Sequence, residues 1–221
     1  MKNVLIPAAI IALVAGSIVF AVMKPNSTPE TKTVQTPAIE FDYSILPTVG
    51  DKNAKVKLVE FGDYKCPSCQ DFVLDVKPQL MKDFVETGKV SFSYIDMAFV
   101  GPDSYIAAMV GRAIYHQNEE EFWKYYDYIY QNQGSPRDQW ATTDYLLQVT
   151  KDLNLNIDFD ELTIDVIEES YGHEVTASHE FADKNGVTST PSLFVNGVRI
   201  ADAKNYEVVS AAIERALVDV K

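Results

Sequence analysis

Apolar positions recur along this chain with two periods, and the switches between them outline its elements. Val56-Lys57-Leu58-Val59-Glu60-Phe61 is a short, nearly continuous apolar run, the pattern of a buried strand. From Cys69 to about Thr87, apolar residues fall at Phe72, Val73, Val76, Leu80, Phe84 and Val85, the spacing of one helix face. Pro78 inside that run predicts a kink, and Gly88 sits where a helix ends in a left-handed residue. Val90–Met97 alternates through Val90, Phe92 and Tyr94 as a second strand. Helical spacing then dominates over Ser104–Gln117, Glu119–Gln131, Thr142–Leu153 and Phe159–Asn185, the last broken near Gly172. Leu193–Val195 and Val198–Ile200 flank Asn196-Gly197, a strong hairpin signal. A closing helix is predicted over Asn205–Val220. Strand, helix, strand, helical block, hairpin, helix is an α/β order: a βαβ unit, an insertion at about 103–185, then a ββα unit.

The N-terminus follows a different pattern. Val4 to Met23 is uncharged and flanked by Lys2 and Lys24. Twenty helical residues span about 30 Å, the thickness of a bilayer core. Residues 1–24 therefore read as an uncleaved transmembrane anchor. A cleaved signal peptide is the alternative, but the run is long and no small-x-small site precedes Lys24. Residues 25–40 are rich in Pro, Thr and charge and read as a flexible linker. The globular domain is expected over 41–221.

The candidate chemistry is concentrated in one tetrapeptide. Cys66-Pro67-Ser68-Cys69 holds both cysteines of the chain. Two ligands cannot complete a four-ligand zinc site, and one pair is too few for a disulfide scaffold. The spacing suits a reversible disulfide. The motif lies where a strand gives way to a helix, so Cys66 is expected exposed at the helix N-terminus, where backbone N–H groups and the dipole favour a thiolate. Lys65 would add a nearby positive charge. Pro67 fits the first helical position. Cys69, one turn on, is expected to be more buried and to act as the resolving thiol.

Other residues carry open readings. Glu60 is a carboxylate inside an apolar strand, which is costly without a use. It is either a buried acid serving Cys69 or an edge-facing, salt-bridged glutamate. Thr190-Pro191 enters a strand and is a candidate cis peptide, although base rates alone favour trans. Phe122, Trp123, Tyr125, Tyr126, Tyr128 and Tyr130 are too many for one helix face, so some are expected to be exposed; core packing accounts for most of them, with a peptide-docking surface as the alternative. Asp158, Asp160, Glu161, Asp165, Glu168 and Glu169 could gather calcium, but without an EF-hand glycine a solvated helix start is preferred. The net charge of -13, from 32 acidic and 19 basic residues, argues against a nucleic-acid partner.

The pattern resembles the thioredoxin superfamily, and its DsbA-like branch in particular. The matching residues are Gly50, Ala54, Val56, Val59-Glu60-Phe61 and Asp63-Tyr64-Lys65-Cys66-Pro67-Ser68-Cys69, then Thr190-Pro191 and Phe194-Val195-Asn196-Gly197. The resemblance covers about Phe41 to Lys221. It implies a thioredoxin fold with a helical insertion, a cis bond at Pro191, and Glu60 at the family's buried-acid position. It further implies disulfide exchange with exported polypeptides bearing free thiols, reoxidation by a quinone-linked membrane protein, and no cofactor or metal. The catalytic domain is then expected on the extracytoplasmic face of the cell membrane. One departure is the Pro-Ser dipeptide: strong oxidants of the family often carry Pro-His and thioredoxin Gly-Pro. Ser68 offers a hydrogen bond but no positive charge. A disulfide reductase or isomerase, or a peptide-binding chaperone-like module, are the alternative functions.

Overall fold

The computed structural model describes residues 38–220. The anchor expected at 1–24 and most of the linker expected at 25–40 lie outside the described residues. Among the described residues, no helix is long and apolar enough to cross a membrane.

Five strands form one sheet: β1 (Thr48–Val49), β2 (Val56–Gly62), β3 (Val90–Asp96), β4 (Ser192–Val195) and β5 (Val198–Arg199). The order is β1-β3-β2-β4-β5. β2 and β3 run parallel, and the other neighbours pair antiparallel. The helix joining β2 to β3, here α1, is built of four consecutive segments, Pro67–Asp71, Phe72–Val76, Lys77–Leu80 and Met81–Val85. Five helices form the insertion: α2 (Pro102–Gln117), α3 (Glu119–Gln131), α4 (Thr143–Asp152), α5 (Phe159–Ile167) and α6 (Gly172–Lys184). α7 (Tyr206–Asp219) closes the chain, its first turn capped by the Asn205 side chain.

Strand alternation divides the interior into two cores. Val56, Leu58, Val90, Phe92, Tyr94, Leu193 and Val195 face the larger one, with α1, α7 and most of the insertion. Val59, Phe61, Ile95 and Phe194 face the smaller one, with Ile39, Leu46 and the end of α6. Glu60 keeps the same parity as Leu58, so the period-2 rule directs its carboxylate into the larger core.

Local chemistry sets several boundaries. The Asn196-Gly197 turn has positive φ at both residues, 47° and 80°, as a two-residue hairpin of this kind requires. β1 was not expected, because two residues are too few to show a period. It pairs with β3, and the Thr48 and Ser93 hydroxyls meet at 2.7 Å. Pro78 does not break α1. Wide turns lie on either side of it: the Lys77 N–H donates to the Phe72 carbonyl, and the Glu86 N–H to the Met81 carbonyl, each five residues back. Such turns accommodate a proline's missing N–H without ending the helix. The break expected near Gly172 separates α5 from α6, with Glu169 at φ 52°. Asp158 caps α5 through the Asp160 and Glu161 N–H groups.

The expectation that some α3 aromatics are exposed is corrected. Phe122, Tyr125, Tyr126 and Tyr130 are fully buried, and Trp123 and Tyr128 are half-buried. α3 is enclosed because α1 and α2 pack on it and Tyr94 of the sheet meets Phe122 and Tyr126. Two buried ion pairs tie the insertion to the sheet and its loops. Arg112 of α2 donates to Asp96 at the end of β3 at 2.7 Å, and Lys65 reaches Asp103 of α2 at 2.5 Å. Loss of one member of such a pair leaves an uncompensated charge, at a cost of roughly 3–5 kcal/mol. These pairs therefore fix where the insertion sits over the cysteines.

Candidate active site

The loop between β2 and α1 is held by hydrogen bonds to backbone. The Cys66 N–H donates to the Asp63 carbonyl at 2.9 Å. The buried Asp63 carboxylate accepts from the Lys65 N–H on one oxygen and from the Phe99 and Val100 N–H groups on the other, all at 2.8 Å. Gln133, just past α3, donates to the carbonyls of Tyr64 and Cys66. Cys66 is the N-cap of α1, Pro67 takes the first helical position, and the Cys69 and Gln70 N–H groups donate to the Cys66 carbonyl. The first turn is thus closed around the two sulfurs.

Both cysteines are free thiols in this structure. Cys69 is fully buried, as expected. Cys66 is 8 % exposed, a correction to the expected open position. What encloses it is the loop before β4, where the Thr190–Pro191 bond is cis. The Cys66 thiol donates to the Thr190 carbonyl at 3.5 Å. Pro67 remains exposed and Ser68 half-buried. Lys65 does not serve the thiol. Its ammonium is buried between Asp103 and the Asp138 carbonyl, and it works as a structural tie.

The two sulfurs differ sharply in acidity. Cys66 is brought down to about 6, chiefly by the hydrogen bond from Cys69, with further help from the Cys69 and Ser68 N–H groups, against the cost of burial. Cys69 is pushed well above the ordinary thiol range, first by burial, then by donating to Cys66 and by the Glu60 carboxylate.

Glu60 is fully buried, which excludes an edge-facing position. One oxygen accepts from the Tyr126 hydroxyl at 2.5 Å, and the other has no partner. Burial raises its carboxyl to about 8, while the Tyr126 hydrogen bond and the Lys77 charge pull the other way. Sequence reasoning missed Lys77. Its ammonium lies 4.5 Å from the Tyr126 ring centroid, near Trp123 and Phe92, and pairs with the half-exposed Asp127 at 2.6 Å. The available signal was a lysine on the apolar face of α1, four residues after Val73 and three before Leu80. Among the described residues, no group of three or more His, Cys, Asp or Glu could hold a metal ion.

A thiol lowered by its neighbour, a second thiol kept protonated, and a buried acid beside them define a thiol–disulfide oxidoreductase. A family model described as Thioredoxin matches residues 45–215, and the chain belongs to that family, in its DsbA-like branch. It is 36% identical over 177 residues to the probable disulfide bond formation protein D of Bacillus cereus, covering 80% of this chain and 81% of that one. It is 30% identical over 171 residues to disulfide bond formation protein D of Bacillus subtilis, covering 77% of each. The fold is similar to the crystal structure of oxidised BdbD from Bacillus subtilis, with a TM-score of 0.78 at 28% identity, over 83% of this chain and 99% of that one.

The asymmetry between the sulfurs has a direct test. Alkylation of Cys66 followed against pH should have its midpoint near 6. Cys69→Ser keeps a donor one turn away and should leave that midpoint nearly in place. Cys69→Ala removes the donor and should move it upward, toward the roughly 8.5 of a free thiol. An unchanged midpoint in Cys69→Ala would show that the helix start alone sets the acidity.

Proposed function

We propose that this enzyme donates its Cys66–Cys69 disulfide to thiols of exported polypeptides, with Cys66 the sulfur attacked by substrate and Cys69 the resolving sulfur. The observation that carries the reading is the opposed acidity of the two thiols, one near 6 and one well above the ordinary range. A substrate thiolate attacks the Cys66 sulfur, the S–S bond breaks, and Cys69 leaves with the electron pair. A thiolate in that buried position is costly, so Cys69 takes up a proton. Glu60, which keeps its proton up to about pH 8, supplies it. A second substrate thiolate attacks the substrate sulfur of the mixed disulfide, and Cys66 leaves as the thiolate its surroundings favour. The substrate has lost two electrons and gained a disulfide, and the enzyme is left as the dithiol. Reoxidation runs the same steps backward: Glu60 as carboxylate receives the Cys69 proton, and a quinone-linked membrane protein takes the electrons.

Supporting roles are proposed for four further residues. Thr190 and Pro191 offer backbone beside Cys66 for an extended substrate to pair with. Pro67 starts α1 without a wasted donor, and Ser68 presents a hydroxyl to the incoming sulfur. Residues 1–24 would anchor the protein in the cell membrane and 25–40 hold the domain at 41–221 off its extracytoplasmic face. The support is the uncharged run from Val4 to Met23.

Glu60→Gln removes the proton donor while keeping the shape. Exchange should slow by tenfold or more, short of the upper end of the roughly 10²–10⁴-fold that general acid–base groups contribute. KM for a substrate peptide should hold, and the inflection near pH 8 in the rate of reoxidation should vanish. Equal rates and equal pH profiles for mutant and wild type would remove Glu60 from the mechanism. For the anchor, the full chain should sediment with membranes and a variant starting at residue 25 should not. Full chain recovered shortened in the medium would instead mean a cleaved signal.

A further inference from the structure

Beside the cysteines, the loop carrying Pro191 borders a small groove of about 230 Å³. Ser68 forms one wall, 189–192 another, and 199–204 the third. The groove is lined mainly by hydroxyls and charges, and three of its residues are ionic: Arg199, Asp202 and Lys204.

Two of those charges already have partners. The Asp202 carboxylate accepts from the Lys204 backbone N–H at 3.0 Å, and the Lys204 ammonium lies 3.2 Å from the Asp71 carboxylate. Arg199 differs. Its Nη2 donates to the Ser189 hydroxyl at 3.2 Å and to the Ser192 hydroxyl at 2.9 Å, and the Ser192 hydroxyl in turn donates to the Ser189 carbonyl at 2.6 Å. One nitrogen of the guanidinium is thereby pinned to the loop that carries Pro191. No carboxylate among the described residues pairs with it. The serines are neutral, so they orient the group without cancelling its charge. Guanidinium carries five N–H donors, and Nη2 supplies the two that the serines accept. The Nε and Nη1 N–H groups can each offer a single charge-assisted bond to a carboxylate oxygen. A cation left unmatched in the groove that Ser68 and the Pro191 loop border also stands out on a chain whose net charge is -13.

We infer that Arg199 is a subsite for a substrate carboxylate, selecting Asp or Glu close to the cysteine that exchanges at Cys66. The inference rests on the proposed function, in which polypeptide thiols attack that sulfur. A serine-tied arginine with a purely structural task would hold the loop but would not discriminate charge in the substrate. Exposed ion pairs of this kind are weak, so the preference should be roughly two- to fivefold.

The test uses three cysteine peptides that differ at the residue flanking the cysteine: Glu, Gln or Lys. Each reduces the oxidised full-length protein, and each rate is divided by the same peptide's rate with oxidised glutathione, which cancels intrinsic thiol reactivity. Wild type should favour Glu over Gln by roughly two- to fivefold at low salt, and 1 M salt should erase the difference. Arg199→Gln should equalise Glu and Gln, a ratio taken within one variant and so independent of any change in the loop that Arg199 holds. Arg199→Glu should favour Lys. Arg199→Lys should keep part of the Glu preference, and Lys204→Gln should keep most of it, since Asp71 already neutralises Lys204. Equal Glu and Gln rates in wild type, or a Glu preference that survives Arg199→Gln, would overturn the subsite while leaving disulfide exchange intact. Failure of all three peptides to reduce the protein would overturn the proposed function itself, and the subsite with it.

Discussion

The hydrogen that Cys69 lends to Cys66 runs in one direction, and most of the site follows from that. A donor lowers the acidity constant of the sulfur that accepts and raises that of the sulfur that gives. Burial adds to the difference, because Cys69 is sealed and Cys66 keeps a narrow opening. With a pKa near 6, Cys66 is about nine-tenths thiolate at pH 7, against a few per cent for an ordinary thiol. That favours the dithiol over the disulfide by at most about 1.4 kcal/mol, or about 30 mV, and screening at the open side lowers it. Lowering the Cys66 pKa therefore moves the couple toward the dithiol, the direction that the proposed disulfide donation needs.

In the proposed exchange the departing Cys69 sulfur needs a proton, and Glu60 is the group assigned to supply it. A sulfur that must leave as a thiolate in a sealed site needs a proton at hand. A carboxyl in an apolar core is the group that still holds one near neutral pH. Its surroundings keep it within a useful range: Tyr126 donates to it, and Lys77 sits above the Tyr126 ring with Asp127 at the surface side. Without these two, burial would carry the carboxyl further up and fix it as the acid. The insertion matters here because α3 supplies both Tyr126 and Asp127, while Gln133 clamps the cysteine loop.

Periodicity made the large elements legible. The apolar run around Glu60 marked β2 but left the burial of that carboxylate open, the run from Phe72 to Val85 announced α1, and Asn196-Gly197 marked the hairpin. What the sequence hid are contacts between residues far apart in the chain. Lys65 lies next to Cys66, so proximity suggested an electrostatic role, yet Asp103 and the Asp138 carbonyl draw its ammonium away. Core packing was the expectation for most of the crowded α3 aromatics, but nothing in one segment shows that helices and sheet surround the helix on so many sides. Pro78 marked where α1 departs from a regular helix, and wide turns lie on either side of it. Arg199 is two residues beyond a turn, and only folding brings it to the Pro191 loop.

The most direct measurement is the reduction potential of the Cys66–Cys69 pair, obtained by equilibrating the protein with glutathione at pH 7. The account predicts a value between about -120 and -180 mV, the range of proteins that donate disulfides. A value near about -270 mV, that of thioredoxin, would contradict it, because the disulfide would then be the favoured form and electrons would flow from this enzyme to its substrates.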